Sequence, residues 1–217
     1  MESNNSLMIV AVFAVALSFI GAFMAYNSFS NYNGMLTGFA IEEEGVVNVT
    51  ISSLSSIEIY SAGGTPDSKV IDWGTGRVAP GPGNFAILST NGTVTGADGS
   101  APWSAVNGGF LVRNIGNTNV SLSIHATPTA ADFIGGSSPS FQYNLSNLEA
   151  SSCSSWETGI ENVYTEFGPT PSSVCTSYGF AEDADELTLD ILLKIPSDSK
   201  TGQRSSVVTL TYDAVTP

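Results

Sequence analysis

With 217 residues and 42% hydrophobic content, the chain is long and apolar enough to build a core, which excludes wholesale disorder. Its 20 acidic residues against 6 basic ones give a net charge of −14. That sign excludes nucleic acid as a partner, because binding it requires basic side chains that displace counterions, and suits a soluble, exposed domain instead.

The first element in chain order is apolar. From Ser3 to Ile41 there is no charged residue and no histidine, and Leu7–Tyr26 is almost wholly apolar. Twenty residues of helix span roughly 30 Å, the thickness of a bilayer's hydrocarbon core. The pattern predicts a transmembrane helix over 7–26, behind a short cytoplasmic leader (1–6) and ahead of a juxtamembrane linker (27–45). Retention as an anchor is expected over cleavage as a signal peptide. The leader has no Lys or Arg, and Phe23 sits where cleavage after Ala25 would need a small residue. Ala11, Ala14, Ser18, Gly21 and Ala25 follow at spacings of three and four, placing small residues on one helix face where a second copy could approach closely.

Beyond Gly45 the apolar period changes to two, as in half-buried strands. Val47, Val49 and Ile51 alternate with polar residues. So do Val120, Leu122 and Ile124; Phe141, Tyr143 and Leu145; Leu187 through Ile195; and Val208, Leu210 and Tyr212. Shorter strands are predicted at Ser56–Tyr60, Lys69–Asp72, Phe85–Ser89 and Gly109–Asn114, separated by Gly- and Pro-rich turns. One-sided strands must bury their apolar face against a second sheet. The expected fold class is therefore all-β: an antiparallel β-sandwich over 46–217, immunoglobulin-like or jelly-roll-like, with seven to nine strands. The last two strands are expected to pair as a hairpin across Pro196–Gln203. The expected core includes Leu122, Ile124, Leu189, Ile191, Leu193, Val208 and Leu210. One short helix is predicted at Ala130–Ile134, with Thr129 as N-cap and Asp132 reaching back.

Two features place this domain outside the cell. Cys153 and Cys175 are the only cysteines, and a lone pair in an exported chain implies one disulfide, with two buried free thiols as the alternative. The intervening loop, rich in Gly and Pro, is expected to be the domain's most irregular segment. Sequons follow at Asn48, Asn91, Asn119 and Asn144, giving four candidate glycosylation sites.

Signals for chemistry are sparse. No motif for a nucleophilic hydrolase, a zinc protease, a phosphate loop or a dinucleotide fold is present, and no catalytic residue, cofactor or metal ligand is assigned. The one histidine, His125, lies on the polar side of its strand. Trp73-Gly-Thr-Gly-Arg77 is read as a turn with a core tryptophan. Two places attract a functional reading. The cysteine loop holds Trp156, Tyr164 and Phe167 among Glu157, Glu161 and Glu166, which suits a ligand or partner surface. Glu182, Asp183, Asp185 and Glu186 form an acidic turn that could attract Ca²⁺ but lacks the helix–loop–helix calcium pattern.

The layout of an apolar helix followed by an acidic, sequon-bearing β-domain resembles surface proteins of archaea, including archaellins and archaeal type IV pilins. Met1–Ser6 lacks the basic leader those families carry. The stretch Ile195–Gly202 with Ser206–Tyr212 resembles the last hairpin of camelysin and TasA-type biofilm-fibre subunits, and Asn114–Val120 resembles strand turns of secreted archaeal sandwiches. The resemblance implies a surface or fibre role and identifies no functional residue. The expected function is a non-enzymatic cell-surface protein with a structural, adhesive or envelope role; the alternative is a subunit of an extracellular filament or pilus assembled through the N-terminal segment. Expected partners are the membrane, through Leu7–Tyr26, a second copy of the chain, and a surface protein or glycan.

Overall fold

The alternating segments become strands in the computed structural model, which describes residues 54–61 and 69–215. The expected transmembrane helix with its small-residue face, the linker, and the Val47–Ile51 strand with Asn48 lie outside the described residues. Among the described residues no helix is long and apolar enough to cross a membrane.

The chain forms β1 (Ile57–Ser61), β2 (Phe85–Ser89), β3 (Val94–Thr95), β4 (Phe110–Asn114), β5 (Val120–Thr127), α1 (Ala130–Phe133), β6 (Ser140–Asn147), β7 (Cys153–Trp156), β8 (Thr165–Glu166), β9 (Ser172–Tyr178), β10 (Glu186–Pro196) and β11 (Val207–Ala214). Two antiparallel sheets result. In the larger, β10 is central: β6 pairs along one side of it, while β4 and then β2 share the other. β1, β3 and β8 form the outer members beyond β4, β2 and β6. The smaller sheet has the order β11-β5-β9-β7. Leu187, Leu189, Ile191 and Leu193 of β10 join Leu122 and Ile124 of β5 in one core, which makes the architecture a sandwich.

β10 is long because its apolar residues hold period two for nine residues, Leu187 to Ile195, and every second side chain from Leu187 to Leu193 is buried. Of the expected core, Leu122, Ile124, Leu189, Ile191 and Leu193 are buried, while Val208 and Leu210 are half-buried against it.

Several expectations are corrected. β10 and β11 are not a hairpin: they lie in different sheets, and β11 pairs with β5, Leu210 opposite Ile124. The intervening chain carries the strand across instead. Lys200 N donates to Ile134 O at 3.0 Å, Lys200 Nζ donates to the carbonyls of Ala131 and Asp132 at 3.4 and 3.1 Å, and Ser206 Oγ donates to Pro128 O at 2.6 Å. These contacts satisfy carbonyls at the end of α1 while fixing the crossing. Among the described residues there are eleven strands rather than seven to nine, and Lys69–Asp72 is not one of them. Ile71 and Trp73 pack against the core there without a strand partner. The Trp73–Arg77 stretch is a bend in which Gly76 lies against the ring of Trp103, where a Cβ would meet the ring at 2.3 Å. In α1 the Thr129 side chain makes no cap bond, so the expected capping box does not form; Thr129 O accepts from Asp132 N and Phe133 N instead.

Candidate functional site

The cysteines are bonded, with Cα atoms 6.0 Å apart. They staple the neighbouring strands β7 and β9 at the outer side of the smaller sheet. The loop they close is less irregular than expected, for it supplies β7, β8 and the start of β9 and visits the larger sheet through β8 on the way. Asn147 ties that loop to β6 by copying a backbone partner: its Oδ1 accepts from Cys153 N at 2.7 Å and its Nδ2 donates to Cys153 O at 3.4 Å.

The aromatic and acidic residues of this loop do not assemble a surface. Phe167 is buried, its ring 4.4 Å from that of Phe141 and 4.9 Å from that of Tyr143. Trp156 packs half-buried against the core. Glu166 accepts from Phe141 N at 3.1 Å and Gln142 Nε2 at 3.3 Å, and also from Ser140, so it serves the β6–β8 edge. Glu157 accepts from Ser173 Oγ at 3.1 Å. Glu161 is exposed. Phe167, Glu157 and Glu166 of this loop thus have structural uses, while Glu161 and Glu166 remain exposed.

The acidic turn is also divided. Glu182 and Asp183 are exposed, whereas Asp185 is buried and Glu186 half-buried, both facing Arg113 of β4. Arg113 Nη2 pairs with Glu186, and its Nε stands 3.5 Å from Asp185 Oδ1, a charge contact without a hydrogen bond. Burial raises the Asp185 carboxyl above its ordinary range, opposed by Arg113 and reinforced by the neighbouring Glu149 and Glu186 charges. Glu149 Oε2 accepts from Asp185 N and Glu186 N at 2.9 and 3.2 Å, capping the start of β10. Among the described residues no group of His, Cys, Asp or Glu is placed to hold a metal ion.

Behind this charged end lies a buried polar plug that bridges the sheets. Tyr178 of β9 shares its hydroxyl proton between Val112 O, at 2.6 Å, and Asp185 O. Asn114 donates from Nδ2 to Thr118 O at 3.1 Å and Tyr178 O at 3.4 Å, and accepts from Gly116 N at 3.0 Å. Its position opens the Asn-rich stretch singled out in the sequence. Nothing local marked Tyr178 or Glu149, whose partners are distant in the chain.

The outer face of the larger sheet presents a second polar group. Where β10 changes partner from β4 to β2, Thr90 fills the seam. Its N–H donates to Ile191 O at 3.0 Å, its Oγ1 accepts from Ile191 N at 3.0 Å, and the same hydroxyl donates to Asp190 Oδ1 at 2.7 Å. Gly109 across the seam has no room for a Cβ, which would lie 2.2 Å from Leu189 O. Tyr164 and Ser89 hydroxyls meet at 3.1 Å, and Asn144 lies opposite Asp190 with its Oδ1 buried and unpartnered. Thr90 and Ser89 are buried within this group, so only the half-buried Asp190, Asn144 and Tyr164 are left to exchange hydrogen bonds outward.

The sequons differ in access. Asn91 is exposed on a turn, its Oδ1 accepting from Thr93 N at 3.1 Å. Asn119 is half-buried, with Nδ2 3.4 Å from Ser177 Oγ. Asn144 sits on the outward side of β6 as its alternation predicts, yet it is half-buried in mid-sheet. His125 is half-buried on the outer side of β5, with Nδ1 buried and unpartnered. Comparison with known proteins finds no matching family model, no matching curated protein and no matching solved structure.

Proposed function

We propose that the chain is a non-enzymatic cell-surface protein with a structural, adhesive or envelope role, anchored by a single transmembrane helix over Leu7–Tyr26 with the β-sandwich outside. The observation that carries this reading is the Cys153–Cys175 bond within an acidic sandwich, since such bonds persist in oxidising compartments. The uncharged twenty-residue apolar run supplies the anchor. The spending of loop carboxylates and aromatics on strand edges and core favours a scaffold over a reaction centre. Asn91, the exposed sequon among the described residues, is the one of these best placed to carry a glycan. The half-buried Asn144 and Asp190 on the sheet face are the groups offered to a surface protein or glycan.

The second reading is a filament or pilus subunit assembled through the N-terminal segment, in line with the resemblance to archaeal surface and fibre proteins. It is favoured by the small-residue face of Ala11, Ala14, Ser18, Gly21 and Ala25. One experiment addresses both. Native protein is fractionated, washed from membranes with alkali or detergent, shaved with protease on intact cells, and sequenced from its N-terminus. An intact Met1 region, retention until detergent is added, and loss of the head to external protease are the expected results. A start near Ile41 in sheared fibres supports the second reading, and a soluble cytoplasmic chain with reduced cysteines rejects both.

A further inference from the structure

Sheet edges expose unpaired N–H and C=O groups, and proteins ordinarily blunt them with shortness, bulges, charge or proline. Among the described residues, the outer strands β3 and β8 have two residues each, β7 has four and a shifted register, and β1 has five with Glu58 at its second position. β11 is different. It runs eight residues in unbroken register against β5, carries neither Lys nor Pro, and has one charge, Asp213. Val207 is 67% exposed and Tyr212 37%, and the inward-facing Val208 and Leu210 are only half-buried.

Val215 N donates to Asn119 O at 2.9 Å in the same register as the β11–β5 ladder. Because hydrogen-bonded pairs alternate in an antiparallel ladder, Val207, Thr209, Thr211 and Asp213 aim their backbone groups at β5. Val208, Leu210, Tyr212 and Ala214 therefore turn theirs to the other edge, which no strand covers among the described residues.

We propose that this edge pairs with β11 of a second copy of the chain, antiparallel about a two-fold axis through Leu210, joining two four-stranded sheets into one of eight strands. In that register the outward N–H and C=O groups of Leu210 meet those of its counterpart. Val208 meets the partner copy's Tyr212 on the inner face, completing the core where each copy leaves it open. The charges agree with this occupant. Arg204 leads into the strand at one end and makes no ion pair among the described residues, while Asp213 lies at the other. Antiparallel self-pairing brings each basic end to an acidic one, so the span from Arg204 to Ala214 is neutral in a chain of net charge −14. It is a place where two acidic molecules can meet without like charges opposed. This inference concerns the head alone and goes beyond the anchoring reading, which it neither needs nor supports.

The test uses the full chain in membranes or detergent. The proposed register sets Thr209 opposite the partner copy's Thr211 as a non-hydrogen-bonded pair, with Cα atoms about 4.5 Å apart, within the span of a disulfide. Chains bearing Thr209→Cys are mixed with chains bearing Thr211→Cys and oxidised; the buried Cys153–Cys175 bond is already formed. The mixed disulfide should form about tenfold faster than one between either chain and a Glu161→Cys control, because pairing holds the thiols at high effective concentration. A rate equal to the control overturns the proposal. So does an intrachain bond between Thr211→Cys and Thr50→Cys, which assigns the edge to the chain's own earlier segment. The double variant Thr209→Lys/Thr211→Lys, checked for an intact Cys153–Cys175 bond, should abolish the dimer; a dimer that persists in it also overturns the proposal.

Discussion

Tyr178 reaches from the smaller sheet to the backbone of the larger one, and its hydroxyl is buried among carbonyls rather than water. Burial, reinforced by the charge of Asp185, pushes that phenol far above its ordinary range, so it remains a neutral donor throughout the physiological pH range. Replacing it with phenylalanine keeps the ring in place but removes the donor from the carbonyls of Val112 and Asp185. The expected cost is about 1–3 kcal/mol, the usual range for a buried acceptor losing its partner. Urea unfolding of Tyr178→Phe checks this, and a midpoint equal to wild type would show the hydroxyl to be dispensable. A contrasting surface group is Asp98. The N–H and hydroxyl of Ser100, with Arg77 added, hold its carboxyl at about 2, although it is a turn residue with little bearing on the core.

At the scale of elements, the disulfide joins two strands that already pair, and its contribution comes mainly from the unfolded chain. Closing a loop between residues 22 apart restricts the denatured ensemble by roughly 3 kcal/mol in the chain-entropy model. The Cys153→Ser/Cys175→Ser variant should lose about that much stability while keeping the β7–β9 pairing. Denaturant unfolding gives the first quantity and amide exchange on β9 the second. Loss of β9 protection in the folded variant would mean that the bond, and not the ladder, holds these strands together. The shifted registers along β9 make it the less regular side of β5, whereas the β5–β11 side is unbroken. That regularity is what leaves β11 fit for a further partner.

For the whole molecule, the excess of acid sets the conditions of association. Two heads of like charge repel over a distance governed by salt, about 30 Å at 0.01 M and about 8 Å at 0.15 M. If the neutral β11 edge is the contact, its strand pairing survives screening while the general repulsion does not. The dimer fraction, read from the mixed Thr209→Cys and Thr211→Cys disulfide, should therefore rise between those two ionic strengths. A fraction that falls with salt would instead make Arg204 and Asp213 the main source of attraction.

The sequence by itself determined which side chains face inward. Val120, Leu122 and Ile124, Phe141, Tyr143 and Leu145, and Leu187 through Leu193 are buried in the alternation their spacing predicts, because period two is a property of the local backbone. The cysteine pairing was likewise legible, as there was only one pair to make. Sheet membership was decided by tertiary structure alone. β11 has the pattern of a strand that could fold back on β10, yet it crosses to β5, because the backbone groups that choose a partner are the same in every residue and carry no address. The sites follow the same division. Thr90, Glu149 and Tyr178 acquire their roles from partners far away in the chain. The aromatics and carboxylates of the cysteine loop looked like a surface until the loop's passage between the sheets drew Phe167 into the core and gave Glu157 and Glu166 strand edges to hold. Local chemistry fixes what a residue can do, and only the packing of distant segments decides which of those capacities is used.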